Sequence, residues 1–160
     1  MNRFHKDTEI LHDLLELQQE RANAYQAIAR LNDQEESICR FLRMVAAQCR
    51  NAFLELRRHM DMSYGDPADR VAFSGEIYRE WPGIKPFVPG STVAEMIEAI
   101  EWNEIKAAAA YQKALTSGDA LSRELKSVLY NQLKEIRVSF SFIHECKEKP
   151  MAPSIDTVRT

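Results

Sequence analysis

Six polar side chains occupy helical faces that are otherwise apolar, and they are the first candidates for chemistry in this chain. They are Gln18, Gln48, Asn51, Glu104, Gln132 and Glu135. Carboxylates and amides at such positions either bind a metal cation or hydrogen-bond one another inside a core. Because only Glu104 and Glu135 can carry negative charge, we expect no metal here. Those two remain the candidate ligands if a single cation does bind.

Other catalytic constellations are missing from the sequence. No two histidines stand at ligand spacing with a carboxylate on an inward helical face, and no glycine-rich phosphate loop or nucleophile motif occurs. The three cysteines, Cys39, Cys49 and Cys146, form no C-x-x-C pair, and we interpret them as small buried apolar residues. The sequence therefore predicts no catalytic residue, no cofactor and no enzyme activity.

Composition limits the class of protein. The chain has 160 residues and a net charge of -3, which suits one domain and provides no basic footprint for nucleic acid. Its polar N-terminus lacks the apolar core of a signal peptide, and no apolar run approaches the roughly 20 residues that span a bilayer. We therefore expect a cytoplasmic protein that binds neither nucleic acid nor membrane.

Apolar residues recurring at spacings of three and four predict the helices that position the six polar side chains. Glycine and proline lie outside these helical stretches and mark their limits. Thr92 and Glu95 form a capping box at the start of the third predicted helix. The predicted helices cover about 8–31, 34–62, 92–117 and 120–147. Residues 63–91 form a crossover, residues 1–149 one domain, and residues 150–160 a flexible tail.

The connections predict the topology. Only Asn32 and Asp33 separate the first two helices, and only Gly118 and Asp119 separate the last two, so each pair forms an antiparallel hairpin. The crossover is too long for a hairpin and long enough to return from one end of a bundle to the other. The sequence therefore predicts an all-α four-helix bundle made of two hairpins and one long crossover.

An internal repeat places the polar residues at one height. The segment around Tyr25 matches the segment around Tyr111, an offset of 86 positions (111 − 25), which makes Gln18 and Glu104 equivalent. Measured from their turns, both residues and their partners Gln48 and Gln132 lie about 20 Å along the helices, at about 1.5 Å per residue. We expect one polar layer across the core.

The stretch 8–148 resembles the ferritin-like superfamily, and within it an uncharacterised bacterial family of four-helix bundles known as a domain of unknown function. The resemblance rests on 14–21 with Tyr25, on 44–50, on Trp81 and on 101–111. Ferritin-like di-iron proteins carry Glu on two helices and Glu-x-x-His on the other two. The corresponding positions here read Gln18, Gln48 with Asn51, Glu104, and Gln132 with Glu135. Neither histidine is present, so the resemblance implies the fold with degenerate di-iron ligands and no established activity.

Two features keep alternatives open. The polar layer either fixes helix register by hydrogen bonding or retains a metal site on Glu104 and Glu135. The aromatic side chains of the crossover either cover the bundle of their own chain or form an interface with another subunit or partner. Those side chains are Phe73, Tyr78, Trp81 and Phe87.

We therefore expect a non-enzymatic bundle that self-associates, with a dimer favoured, and acts as an interaction or stress-associated protein. The identity of any protein partner is not encoded in these patterns. The alternative is a metal-binding ferritin-like protein, an oxidase or an iron-storage protein, with unusual ligands.

Overall fold

The computed structural model of the chain describes residues 3–31, 36–64, 80–85, 92–117 and 121–148. Four helices occupy nearly all of these ranges, and none of the described residues lies in a β-strand. They are α1 (Arg3–Leu31), α2 (Glu36–Tyr64), α3 (Val93–Ser117) and α4 (Arg123–Glu148). The predicted all-α class is confirmed.

Side-chain caps account for the starts of α3 and α4. The backbone N–H of Glu95 donates to Thr92 Oγ1 (3.1 Å), and the backbone N–H of Thr92 donates to Glu95 Oε1 (2.8 Å), which is the predicted capping box. At α4 the backbone N–H of Leu125 donates to Ser122 Oγ (3.0 Å). Ser122 therefore caps α4, which begins at Arg123, later than the predicted start near residue 120.

The helices pair in sequence order. Helix α1 packs most extensively on α2, and α3 packs on α4, so the chain forms the two predicted hairpins. Smaller contacts join α1 to α3 and α2 to α4. The four helices therefore enclose one core as a four-helix bundle.

Contacts between α1 and α3 show that these two helices run in opposite directions. Gln18 meets Tyr111, while Tyr25, further along α1, meets Glu104, which precedes Tyr111 in α3. Residues with higher numbers on α1 thus contact residues with lower numbers on α3. Since α1 is also antiparallel to α2, α2 and α3 must run in parallel.

Helices α2 and α4 are antiparallel by the same criterion. Phe41 stacks on Phe142 with ring centroids 4.5 Å apart, and Gln132 Nε2 donates to the carbonyl oxygen of Ala52 (3.4 Å). Because α2 and α3 are parallel, the connection between them must return along the length of the bundle. This geometry explains why the crossover is long.

The described part of the crossover lies against α1 and α3. Trp81 Nε1 donates to Glu20 Oε1 (2.9 Å), and the backbone N–H of Lys85 donates to Asn103 Oδ1 (2.7 Å). Between them Gly83 adopts a φ of 115°, which favours glycine. The segment therefore crosses the bundle close to the middle of α1.

The core consists of two apolar clusters. One contains residues from 10–17, 56–60, 107–114 and 121–136, and the other contains residues from 22–29, 38–49, 96–100 and 143–146. The buried residues between the two clusters on α1 and α3 are polar: Gln18 and Arg21, and Glu101, Asn103 and Glu104. A polar layer therefore divides the bundle near its middle.

Candidate functional site

An ion pair between α1 and α3 forms the centre of the polar layer. Arg21 is 3% exposed and Glu104 is 0% exposed. Arg21 Nε donates to Glu104 Oε2 (3.1 Å), and Arg21 Nη2 donates to Glu104 Oε1 (2.5 Å), so the contact is bidentate. Tyr25 donates its hydroxyl proton to Glu104 Oε2 (2.7 Å). The buried carboxylate thus accepts three hydrogen bonds.

A directed chain of hydrogen bonds leads from Arg21 to the other three helices. Arg21 Nη1 donates to Gln18 Oε1 (2.8 Å), and Gln18 Nε2 donates to the Tyr111 hydroxyl (2.7 Å). That hydroxyl donates to Gln132 Oε1 (2.5 Å), and Gln132 Nε2 donates to Glu55 Oε1 (3.0 Å). The layer therefore connects all four helices through side-chain hydrogen bonds.

The internal repeat is visible in the geometry of this layer. Tyr25 bonds Glu104 at 2.7 Å, and its repeat counterpart Tyr111 bonds Gln18 at 2.7 Å. Each tyrosine therefore contacts the residue that lies seven positions before the other tyrosine. Arg21 breaks this symmetry, because the residue 86 positions later is Ala107, which is fully buried.

The structure places the six predicted layer residues in different environments. Gln18, Glu104 and Gln132 are buried, and Gln48 is half-buried. Asn51 and Glu135 are exposed, which corrects the prediction that they belong to the core layer. The reason is rotational: three residues along an α-helix offset a side chain by about 60°, and at Asn51 and Glu135 that offset carries it from the edge of the inward stripe towards solvent.

A small cavity of about 10 Å³ adjoins the layer between α1, α2 and α4. It is lined by Gln18, Arg21, Gln48, Ala52, Gln132, Glu135 and Ile136. Four of the six predicted residues therefore surround one space, while Asn51 does not reach it. The volume is about that needed by one water molecule, which the surrounding amides could hydrogen-bond.

Burial makes the titratable groups of the layer poor acids. It raises the pKa of the Tyr25 and Tyr111 hydroxyls, and it raises the pKa of the Cys49 thiol from 9.0 to about 11. Glu135 borders the cavity, where partial desolvation of its carboxyl and, secondly, the Glu55 carboxylate raise its pKa. At neutral pH the phenols and the thiol therefore stay protonated, which makes them weak nucleophiles.

The donor set does not fit a di-iron centre. Such a centre needs several carboxylates and histidines, whereas amides occupy three of the layer positions and a guanidinium occupies the space beside Glu104. A positive charge in this place opposes a metal cation directly. No group of three or more His, Cys, Asp and Glu side chains in the described ranges is arranged to hold a metal ion.

Sequence reasoning missed four members of the network: Arg21, Tyr25, Tyr111 and Glu55. The sequence marks the two tyrosines only through the internal repeat, whereas in the structure their hydroxyls make the cross-helix contacts. Arg21 did give a signal, since it lies three residues after Gln18 on the same helical face. Arginine is rarely buried without a charged partner. The burial of Arg21 could therefore be predicted only if Glu104 was known to lie beside it.

Of the four crossover aromatics, the structure describes one. Trp81 is 3% exposed and packs in the core of its own chain, so it is not available to a partner. Phe73, Tyr78 and Phe87 lie outside the described residues. The indole of Trp81 instead ties the crossover to α1 through Glu20.

Taken together, these features define a four-helix bundle with a buried, ion-paired polar layer in its core. The chain belongs to the family described as "Domain of unknown function (DUF2383)", whose family model matches residues 6–117. The match includes Arg21, Tyr25 and Glu104, and it ends before α4 and Gln132. No curated protein and no solved structure matches the chain. None of the described helices is both long and apolar enough to cross a membrane.

Proposed function

We propose that this protein is a non-enzymatic ferritin-like bundle whose ancestral metal position is closed by an internal ion pair, and that it acts through its surface as an interaction module. The observation that carries the proposal is the bidentate contact of Arg21 with Glu104. The guanidinium supplies inside the bundle the positive charge that a metal would supply in a ferritin-like oxidase.

The ferritin-like part of the proposal is supported by topology and by the repeat. The two hairpins are joined by a crossover that returns along the bundle, which is the ferritin-like connection among four-helix bundles. The repeat places Gln18 and Glu104 at the positions where each of two helices would contribute one glutamate. In this chain one of those two carboxylates has become an amide.

The polar layer is proposed to specify helix register. A buried polar group without a partner destabilises the fold, so only the register that satisfies Arg21, Glu104 and Gln18 together is favoured. A slip of one helix by one turn, about 5.4 Å, would break every cross-helix bond in the layer. The layer thus holds the outer helical faces in fixed relative positions.

Metal content separates this proposal from the alternative of a metal-binding oxidase or iron-storage protein. Protein from cells grown with added iron, zinc and manganese should contain no stoichiometric metal by elemental analysis. One or two tightly held metals per chain that disappear in Glu104→Gln would contradict the proposal. The matched control is Glu98→Gln on the exposed side of the same helix, which should leave the metal content unchanged in either case.

Self-association belongs to the same proposal. Helix α4 exposes Tyr130, Val138 and Phe142, and its cations and anions are nearly balanced, so two copies can meet there without strong repulsion. Sedimentation equilibrium should show a dimer that Val138→Glu converts to a monomer. A monomer at all concentrations for the unmodified chain would remove self-association from the proposal.

A further inference from the structure

The outward side of α2 exposes an unusual line of side chains. Met44 is 51% exposed and Leu54 is 62% exposed. Ala47 and Asn51, both exposed, lie between them, and the successive spacings of three, four and three keep the line on one side of the helix. This line, the apolar track, has a large apolar side chain at each end (Met44 and Leu54) and the smaller Ala47 and the polar Asn51 in its middle, all open to solvent.

A row of arginines runs beside this track. Arg43, Arg50 and Arg57 are exposed and repeat every seven residues, which places them about 10 Å apart along the helix. Helix α2 contains five arginines and three acidic residues, a balance of 5 − 3 = +2, whereas the whole chain carries -3. We call the apolar track and this row together the α2 face.

The arginine row is only weakly engaged by the chain itself. Arg50 donates to the neutral amide of Gln26 (2.7 Å), and Arg57 lies 4.0 Å from Asp61 in an exposed contact. Within the described ranges no carboxylate forms an ion pair with Arg43 or Arg50. All of the cations are arginine rather than lysine, and its planar group binds carboxylates at two points.

We propose that the α2 face binds an acidic amphipathic segment of a partner protein, whose apolar side chains lie on the track and whose carboxylates meet the arginine row. From Arg43 to Arg57 the row extends about 21 Å, the length of about 14 residues of a helix. The inference rests on the proposed function, because it names the kind of partner that the interaction module takes.

Charge selects this occupant over a second copy of the chain. A symmetric contact of α2 on α2 would bring the arginine rows together, and like charges at an interface repel. Nucleic acid would use the arginines but little of the apolar track, since most of its contacts with proteins are hydrogen bonds to phosphate and sugar oxygens. An acidic amphipathic segment uses both halves of the face.

Fluorescence anisotropy with a labelled synthetic peptide tests the proposal. The probe is a helical peptide of about 15 residues with leucine on one face and glutamate on the other, and the control peptide has glutamine in place of glutamate. The chain should bind the acidic peptide, and Arg43→Glu/Arg57→Glu and Leu54→Ser should each weaken binding about tenfold or more. Lys113→Glu, a single reversal of charge at an exposed position on α3, should change it by less than about twofold.

Several results would overturn the inference. They are equal binding of the glutamine peptide, no binding of the acidic one, an equal loss in Lys113→Glu, or stronger binding of single-stranded DNA of matched charge. If the unmodified chain is a dimer and Leu54→Ser is a monomer, the α2 face binds a second copy of the chain instead of an acidic partner. Circular dichroism checks that each variant folds. If metal-free protein does not bind the peptide, the inference about the α2 face is wrong but the proposed function stands. If the protein holds stoichiometric metal, the proposed function is wrong whether or not the peptide binds.

Discussion

Replacing Arg21 by methionine removes the positive charge of the polar layer and keeps most of the side-chain volume. The change takes away both hydrogen bonds from the guanidinium to Glu104 and the one to Gln18. Glu104, which is 0% exposed, then retains only the Tyr25 hydroxyl as a donor. A buried carboxylate without its cation is the costly outcome of this substitution.

The magnitude follows from the burial of both partners. Removing one member of a buried ion pair destabilises proteins by about 3–5 kcal/mol, and we expect Arg21→Met to fall in that range. For a chain of this size the melting temperature should drop by on the order of 10 °C. Replacing both partners by apolar residues is often neutral, so Arg21→Met/Glu104→Leu should recover most of the loss.

Urea denaturation at neutral pH measures the free energy of unfolding of the parent, both single variants and the double variant. The expected coupling between the two sites is about 2 kcal/mol or more, because the second substitution removes the stranded charge. Two results would refute the ion pair as the centre of the layer. One is a decrease in the free energy of unfolding below about 1 kcal/mol in Arg21→Met, and the other is a decrease in the double variant equal to the sum of the decreases in the two single variants.

Three further predictions concern the remaining contacts. Tyr111→Phe should destabilise by about 1–3 kcal/mol in urea denaturation, because a buried amide donor and a buried amide acceptor lose their partner, whereas Tyr130→Phe on the surface should change stability by less than about 0.5 kcal/mol. Trp81→Ala should destabilise by about 3–5 kcal/mol and increase hydrogen exchange in the crossover. In Glu101→Gln the free energy of unfolding, measured by urea denaturation, should decrease less between about pH 5 and pH 3 than in the parent chain. Glu124→Gln, at an exposed position, is the control.

The sign of the pH effect follows from the contacts of Glu101. A hydrogen bond with His144 (2.6 Å), followed by one from Lys147 Nζ (2.9 Å), lowers the pKa of this carboxyl. A carboxyl with a lowered pKa in the folded state contributes stability above its unfolded pKa and loses it as the pH falls through the folded pKa. An unchanged acid limb in Glu101→Gln would contradict this assignment.

Much of the fold could be predicted because it depends on local signals. Periodicity predicted the helices, the Thr92–Glu95 capping box predicted the start of α3, and short turns predicted the hairpins. The repeat made Gln18 and Glu104 equivalent before any contact was known. These signals lie within one helix, one turn or one repeat, so one sequence is enough to read them.

The centre of the layer could not be predicted, because it depends on contacts between helices. Arg21 lies on the same helical face as Gln18, but its burial cannot be predicted until Glu104 is brought beside it. Asn51 and Glu135 were misplaced for the converse reason, since equal height along a helix does not fix the rotation that turns a side chain inward. The position of a residue along the helix axis follows from counting residues. The direction in which its side chain points depends on how the neighbouring helices pack.

The most direct test of a closed layer is a crystal structure of the chain soaked in manganese(II), with anomalous scattering recorded. We expect continuous density for the Arg21 guanidinium between Gln18 and Glu104 and no anomalous peak at the layer. An anomalous peak coordinated by Glu104, with Arg21 turned out of the core, would contradict the account.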